Sequence, residues 1–376
     1  MNRAWIIGLF VLALTAPARA AEPEGKIVHE AWDAAYLDDG KAGFVHMVIR
    51  EMERGDQKLY KATTELNLKL QRFKQTITLR METGSVETAD GKVTSVAMAQ
   101  TLGKNQDRLL IGVVKDKELH VTIDEIQGEM KKRVLERKLP WNEKVIGLYK
   151  QDNLFRTKKV KPGDEFSYLA YEPTINAVVT TKVKVMDFED VDLRGKKEKL
   201  LRVEAVPGKI EVGNTSFQLP TLISWIDKDY VTRKSRVEVP GLGILWLYRT
   251  TKEDATGDGP IAQIKDIGIS QLIKLNRRIE RPYDTRNVTY HITIKGDDDP
   301  KTAFASDGRQ TIKNVKGNQF DLRVEATRGP RKLDNPGAAP AEYLKSNSYI
   351  NSDDELVQKH ARAAVGRETD AWKKAL

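Results

Sequence analysis

The stretch Tyr60-Lys61-Ala62-Thr63-Thr64-Glu65-Leu66-Asn67-Leu68-Lys69-Leu70 decides the fold class. Successive side chains of a strand point to opposite faces, so Tyr60, Ala62, Thr64, Leu66, Leu68 and Leu70 share one side. Lys61, Thr63, Glu65, Asn67 and Lys69 take the other. No helical period fits this pattern. Immediately after it, Phe73, Ile77, Leu79 and Met81 alternate with Lys74, Thr76, Thr78 and Arg80. The same register recurs at Leu119/Val121/Ile123, Val183/Val185, Leu201/Val203/Ala205 and Ile210/Val212. It returns at Val288/Tyr290/Ile292/Ile294 and Phe320/Leu322/Val324/Ala326. One apolar and one polar face per strand is the mark of antiparallel sheet. Asp90-Gly91, Pro162-Gly163, Pro207-Gly208 and Asp307-Gly308 supply turns.

Working outward, residues 21–139 and 140–255 form two antiparallel sections of similar layout, each ending in a short apolar strand (109–114 and 244–248). They suggest a duplication of half-barrel-like sheets, although no residue pattern repeats strictly. The Gly- and Asp-rich stretch from Glu253 to Pro260 reads as a loop before a smaller β section, 256–328. Residues 329–340 (GPRKLDNPGAAP) are a linker by composition. A short α-helical tail, 341–376, follows. Ser352-Asp353-Asp354-Glu355 opens a helix with Leu356, Val357, His360, Ala361, Ala364 and Val365 at helical spacing, and Gly366 closes it. Thr369 is placed to cap a second helix through Leu376. The expected fold is therefore mainly β, with that helical tail.

The first twenty residues read as an export signal. Asn2 and Arg3 precede an apolar run over residues 4–16, shorter than the roughly 20 residues a membrane span needs. Ala18 and Ala20 supply the small residues for cleavage between Ala20 and Ala21. The expected location is periplasmic or secreted. The chain has no Cys, which removes a thiol nucleophile, Cys-ligated zinc and iron–sulfur clusters. Its net charge of +9 comes from Lys and Arg scattered through strands, a solubility charge rather than a nucleic-acid footprint.

Candidate chemistry is sparse. His29, His46, His120, His291 and His360 show no metal-ligand spacing and are expected at the surface. Asp297-Asp298-Asp299-Pro300 and Asp254-Ala255-Thr256-Gly257-Asp258-Gly259 lack the spaced oxygens and closing Glu of a calcium loop. The basic run from Lys131 to Lys138 has no interleaved aromatics and reads as a solvated face. Trp141, Trp225 and Trp246 are expected in the β core, with carbohydrate stacking as the functional alternative. No phosphate loop, nucleophile elbow or zinc-protease helix appears, and no cofactor is implied.

The tail Tyr343–Leu376 (YLKSNSYINSDDELVQKHARAAVGRETDAWKKAL) resembles the lead-in to a bacterial transglutaminase-like domain of the secreted, cysteine-protease-like superfamily. Trp32, Asp38-Asp39-Gly40-Lys41, Gly43, the Pro240-Gly241-Leu242-Gly243 turn and RQTIKN from Arg309 resemble the non-catalytic region preceding that domain. The resemblance implies a Cys–His–Asp triad downstream of these helices. With no Cys here, no catalytic residue carries over, and the tail reads as the start of a domain whose core lies outside this chain. The chain is then a non-catalytic platform, with a downstream transglutaminase-like domain or chain as partner. The long antiparallel strands also look like the half-barrel of periplasmic lipoprotein carriers, which implies a lipid or acyl ligand on a concave sheet. An intact-mass measurement on envelope-derived protein should give a chain beginning at Ala21; a species retaining residues 1–20 would make that segment an anchor.

Overall fold

The computed structural model describes residues 25–102, 107–127, 130–212, 215–257, 266, 268, 272–295, 299–301, 303–304, 308–326, 352–353 and 355–375. The signal segment with Ala20 and Ala21, Asp297, Asp298, Asp307, the 329–340 linker and Leu376 lie outside them. The protein is mainly β and divides into two units, Met1–Ile273 and Lys274–Leu376.

The first unit is built on one antiparallel sheet. Its first eight strands run as a meander: β1 (Lys26–Leu37), β2 (Gly40–Arg54), β3 (Gln57–Arg72), β4 (Gln75–Thr88), β5 (Val93–Leu102), β6 (Asp107–Lys115), β7 (Glu118–Gln127) and β8 (Met130–Pro140). After two short helices, α1 (Leu148–Asp152) and α2 (Leu154–Lys158), come β9 (Glu165–Glu172), β10 (Ala177–Asp192) and β11 (Lys197–Pro207). A separate hairpin, β12 (Lys209–Val212) and β13 (Thr215–Gln218), precedes β14 (Leu222–Ile226), β15 (Thr232–Val239) and β16 (Gly243–Thr250). The strand order is β8-β7-β6-β5-β4-β3-β2-β1-β16-β15-β14-β11-β10-β9, fourteen strands in all. The two sections separated in the sequence at 139/140 thus share one sheet, joined where β1 pairs with β16.

The alternation that reads strand β3 holds in register. Leu66 faces Val45 and Met81, Leu68 faces Gly43 and Leu79, and Leu70 faces Ile77. Phe73 departs from it. Phe73 and Lys74 have φ of 50° and 65°, so they form the β3–β4 turn and Phe73 is exposed. The carboxylate of Asp266 accepts the backbone N–H of both turn residues, at 2.9 and 2.6 Å.

The face carrying Ala35, Leu37, Leu68, Leu70 and Leu245 is the inner one. The segment following β8 crosses it. Trp141 and Val145 enter a cluster with Val96, Met98, Leu110 and Leu119, while Leu169 and Tyr171 of β9 pack on the same cluster. Side chains from the last strand of the sheet order therefore meet those from the first strands, with Trp141–Tyr171 ring centroids 6.2 Å apart. The sheet rolls until its unpaired edges, β8 and β9, flank this segment. Val145 bridges β9 at Leu169, and Ile146 N–H donates to Leu169 O at 2.9 Å. Further along, Val160 and Phe155 fill the region between Val183, Leu201, Val203 and Ile226.

The stretch 253–256, read above as loop, lies in a helix, α3 (Lys252–Thr256). Thr251 caps it, its hydroxyl accepting Asp254 N–H at 3.2 Å.

In the second unit, β17 (Asn287–Thr293), β19 (Gln319–Glu325) and β18 (Gln310–Lys316) form an antiparallel sheet around Phe320 and Leu322. Helices α4 (Glu355–Val365) and α5 (Ala371–Ala375) follow. Gly366 adopts φ 57° at the end of α4. Asp370 rather than Thr369 caps α5, accepting Lys373 N–H at 2.9 Å. The α4 side chains Leu356 and Val357 are exposed.

One glycine is fixed by close approach. A Cβ on Gly43 would sit 1.9 Å from the Asn67 carbonyl oxygen on the neighbouring strand. Backbone cannot yield as a flexible side chain does, so Gly43→Ala must prise β2 from β3. The expected cost is about 3 kcal/mol, a Tm lower by roughly 6–12 °C. A calorimetric Tm within a degree of wild type would refute that contact.

Candidate functional site

Among the polar groups of the inner face, Asp33 and Glu87 are held by structural partners. Asp33, on the same side as Ala35 and Leu37, is held by Arg249 across the β1–β16 pairing, with contacts of 2.8 and 3.4 Å. Burial nevertheless pushes the Asp33 carboxyl above its usual range, against the pull of Arg249. Glu87 on β4 has no exposed surface. Its carboxylate accepts the Ser85 hydroxyl at 2.8 Å and the N–H groups of Tyr149 and Lys150 at 2.8 and 3.2 Å. Gly147, which precedes α1, offers no side chain to satisfy those donors, and a Cβ there would meet Glu87 Oε1 at 2.3 Å. Strand β4 thus caps the helix that crosses the inner face, and Tyr60 stacks on Tyr149 beside it at 4.1 Å.

The five histidines form no metal cluster among the described residues. Four sit beside carboxylates: His29 with Asp152, His46 with Glu30, His120 with Glu118 and His291 with Asp321. His29, His46 and His120 are half-buried rather than fully exposed. His46 stacks on Trp32 at 3.6 Å, and Glu30 accepts from both rings. The His46 hydrogen bond draws the Glu30 carboxyl below its usual range. Asp254 belongs to the first turn of α3. The basic run lies on β8, where Lys131 and Arg133 pair with the buried Asp124 and Lys138 with Glu118.

The three tryptophans separate. Trp141 fills the inner core. Trp225 and Trp246 point to the outer face, because their neighbours Ile226 and Leu245 occupy the inner one. Here register builds something that no single strand contains. Trp225 pairs with Lys234 and Lys234 with Tyr248; Arg236 pairs with Trp246 and Trp246 with Tyr36. One rung sets a cation between two rings, and the other sets a cation beside two rings. The Lys234 ammonium lies 5.3, 4.6 and 5.2 Å from the ring centroids of Trp225, Trp246 and Tyr248. Across this face lies the tip of the β10–β11 hairpin. Val191, Leu193 and Leu200 pack on the tryptophans, Asp192 O accepts from Lys234 at 3.1 Å, and Arg194 stacks 3.9 Å above Tyr36. Glu189 accepts the indole N–H of Trp225. The strand alternation Lys234-Ser235-Arg236 and Trp246-Leu247-Tyr248 could have revealed one cationic and one aromatic face. Their pairing, and the arrival of Arg194, have no local signal.

These features define a thiol-free, mainly β protein with a rolled sheet and an aromatic–cationic outer site. No family model matches the chain, and no curated protein matches it. Among solved structures it is similar to a β-barrel-like protein of a domain of unknown function, DUF1849, from Brucella abortus. That likeness has 13% identity and a TM-score of 0.40, and it covers 61% of this chain and 98% of the other. A superposition this loose transfers neither strand correspondences nor activity.

Glu87 yields a pH test. Burial raises its folded-state pKa above the ordinary carboxylate value. Its protonated form therefore favours folding: that stability is present in acid, below the unfolded pKa, and is lost as pH rises through the folded pKa. Glu87→Gln mimics the protonated form and does not titrate. Its Tm relative to wild type should rise between pH 4 and pH 7; a flat or falling difference would contradict the assignment.

Proposed function

We propose that this chain, through its β sections over residues 21–328, is the exported, non-catalytic β-platform of a transglutaminase-like protein. The observation supporting this reading is the occupancy of the inner face by the chain itself. Ala35, Leu37, Leu68, Leu70 and Leu245 are buried along its middle, and Trp141, Val145, Phe155 and Val160 fill its ends. A sheet filled this way is a rigid support rather than a vessel. The chain contains no Cys, so the thiolate such catalysis requires must come from another domain or chain.

A second reading, an acyl-chain binding module, draws on the roll itself. Strands β8 and β9 end the sheet unpaired, and Leu66, Ile77, Leu79 and Leu247 along the inner face stay half-buried. Movement of the 141–160 segment would open that face. One experiment separates the two: lipid extraction with mass spectrometry on purified residues 21–376, followed by titration with a fluorescent fatty acid. The platform is expected to carry no lipid, to show no saturable response and to incorporate no amine, with or without a thiol reagent. Stoichiometric acyl binding would overturn it in favour of the carrier.

A further inference from the structure

The outer face holds an open depression of about 400 Å³ lined by Asp192, Arg194, Lys234 and Tyr248. That volume falls within the range of small-molecule sites and exceeds what a bare ion fills. Its electrostatics are uneven. Arg202 and Arg236 beside it each have a carboxylate partner, Glu204 at 2.6 Å and Glu238 at 3.2 Å. Arg194 and Lys234 have none within 4.0 Å among the described residues. The Asp192 carboxylate lines the same space, accepting Gly195 N–H at 2.7 Å, and offsets only one of the two positive charges.

Rings take the place of counter-ions. Arg194 lies over Tyr36 and reaches toward Tyr248, and Lys234 is enclosed by Trp225, Trp246 and Tyr248. Cation–π contacts orient both cations and hold them still, but they neutralise no charge. Burial draws the Lys234 ammonium below its usual pKa, against the opposing pull of the Asp192 and Glu189 charges. Lys234 of β15 and Arg194 of the β10–β11 turn therefore converge on one space and, against the single Asp192 carboxylate, leave its lining net positive.

We propose that this depression binds a phosphoryl group carried on a small polyol, with Arg194 and Lys234 as its charge-assisted donors. Arg194 presents a planar fork suited to two phosphate oxygens and Lys234 a point charge. The Tyr248 hydroxyl and the Asp192 carboxylate face the same space and offer hydrogen bonds to the polyol hydroxyls. A soluble glycerol phosphate and the headgroup of phosphatidylglycerol share this chemistry. The site is independent of the platform reading, because it lies on the opposite face of the sheet.

The test uses residues 21–376 and the fluorescence of Trp225 and Trp246, read as the response lost in a Trp246→Phe control. Probes are glycerol 3-phosphate, glycerol, and vesicles of phosphatidylglycerol or phosphatidylcholine. A saturable change with glycerol 3-phosphate and none with glycerol is expected. Response to phosphatidylglycerol vesicles alone also supports the site and assigns its ligand to a lipid surface. Arg194→Gln and Lys234→Gln should each weaken binding about tenfold or more; Arg194 is exposed on a turn, so its loss should leave Tm unchanged. No saturable response to either phosphate probe would overturn the proposal. So would binding that survives in a folded Arg194→Gln, Lys234→Gln double variant.

Discussion

The pairing of β1 with β16 is the constraint on which the first unit depends. It runs from Trp32 opposite Thr250 to Leu37 opposite Leu245, and joins two meanders that each rest on local hairpins. Without it the chain has two open sheets and four edges. With it there is one sheet and two edges, which close on the 141–160 segment. The Asp33–Arg249 ion pair and the bond from Asp38 N–H to Ile244 O lie on this junction. The partners are separated by nearly the whole unit, so the junction forms only after most of the chain is present. A topology dominated by such contacts folds slowly.

The same junction makes the outer site. Tyr36 comes from β1, Trp246 and Tyr248 from β16, Lys234 and Arg236 from β15, and Trp225 from β14. A one-residue slip of β1 against β16 would exchange its faces, bringing Tyr36 inside and Leu37 out. Core and site are thus specified by one register. The inward Ala35 and Leu37 pin the position of the outward Tyr36.

Much of the fold was legible because alternation reports a strand and its buried side without knowledge of its partner. Leu66, Leu68 and Leu70 sit on the inner face for that reason. Alternation fails at Phe73, since a residue in the left-handed region leaves no mark in hydrophobic spacing. It is equally silent about Glu87, a charged residue whose burial depends on helix donors contributed from beyond β8. Helix α3 did have a signal, the hydroxyl of Thr251 three residues before Asp254, hidden by the Gly and Asp that follow. The outer site was the least legible part. Its tryptophans stood out and Trp225 is buried, but the face of the sheet on which each lies is decided by pairing, and Arg194 arrives from a hairpin tip.

The roll leaves β8 as one bare edge, and that strand is MKKRVLERKLP. A lone edge is a template for another chain, and flat apolar edges seed aggregates. Lys131, Lys132, Arg133, Arg137 and Lys138 change that outcome. A second copy laid along this edge would bring Lys132 and Arg137, beside the ion-paired Lys131, Arg133 and Lys138, against their own kind. The basic run from Lys131 to Lys138 thus works against edge-to-edge growth of the sheet.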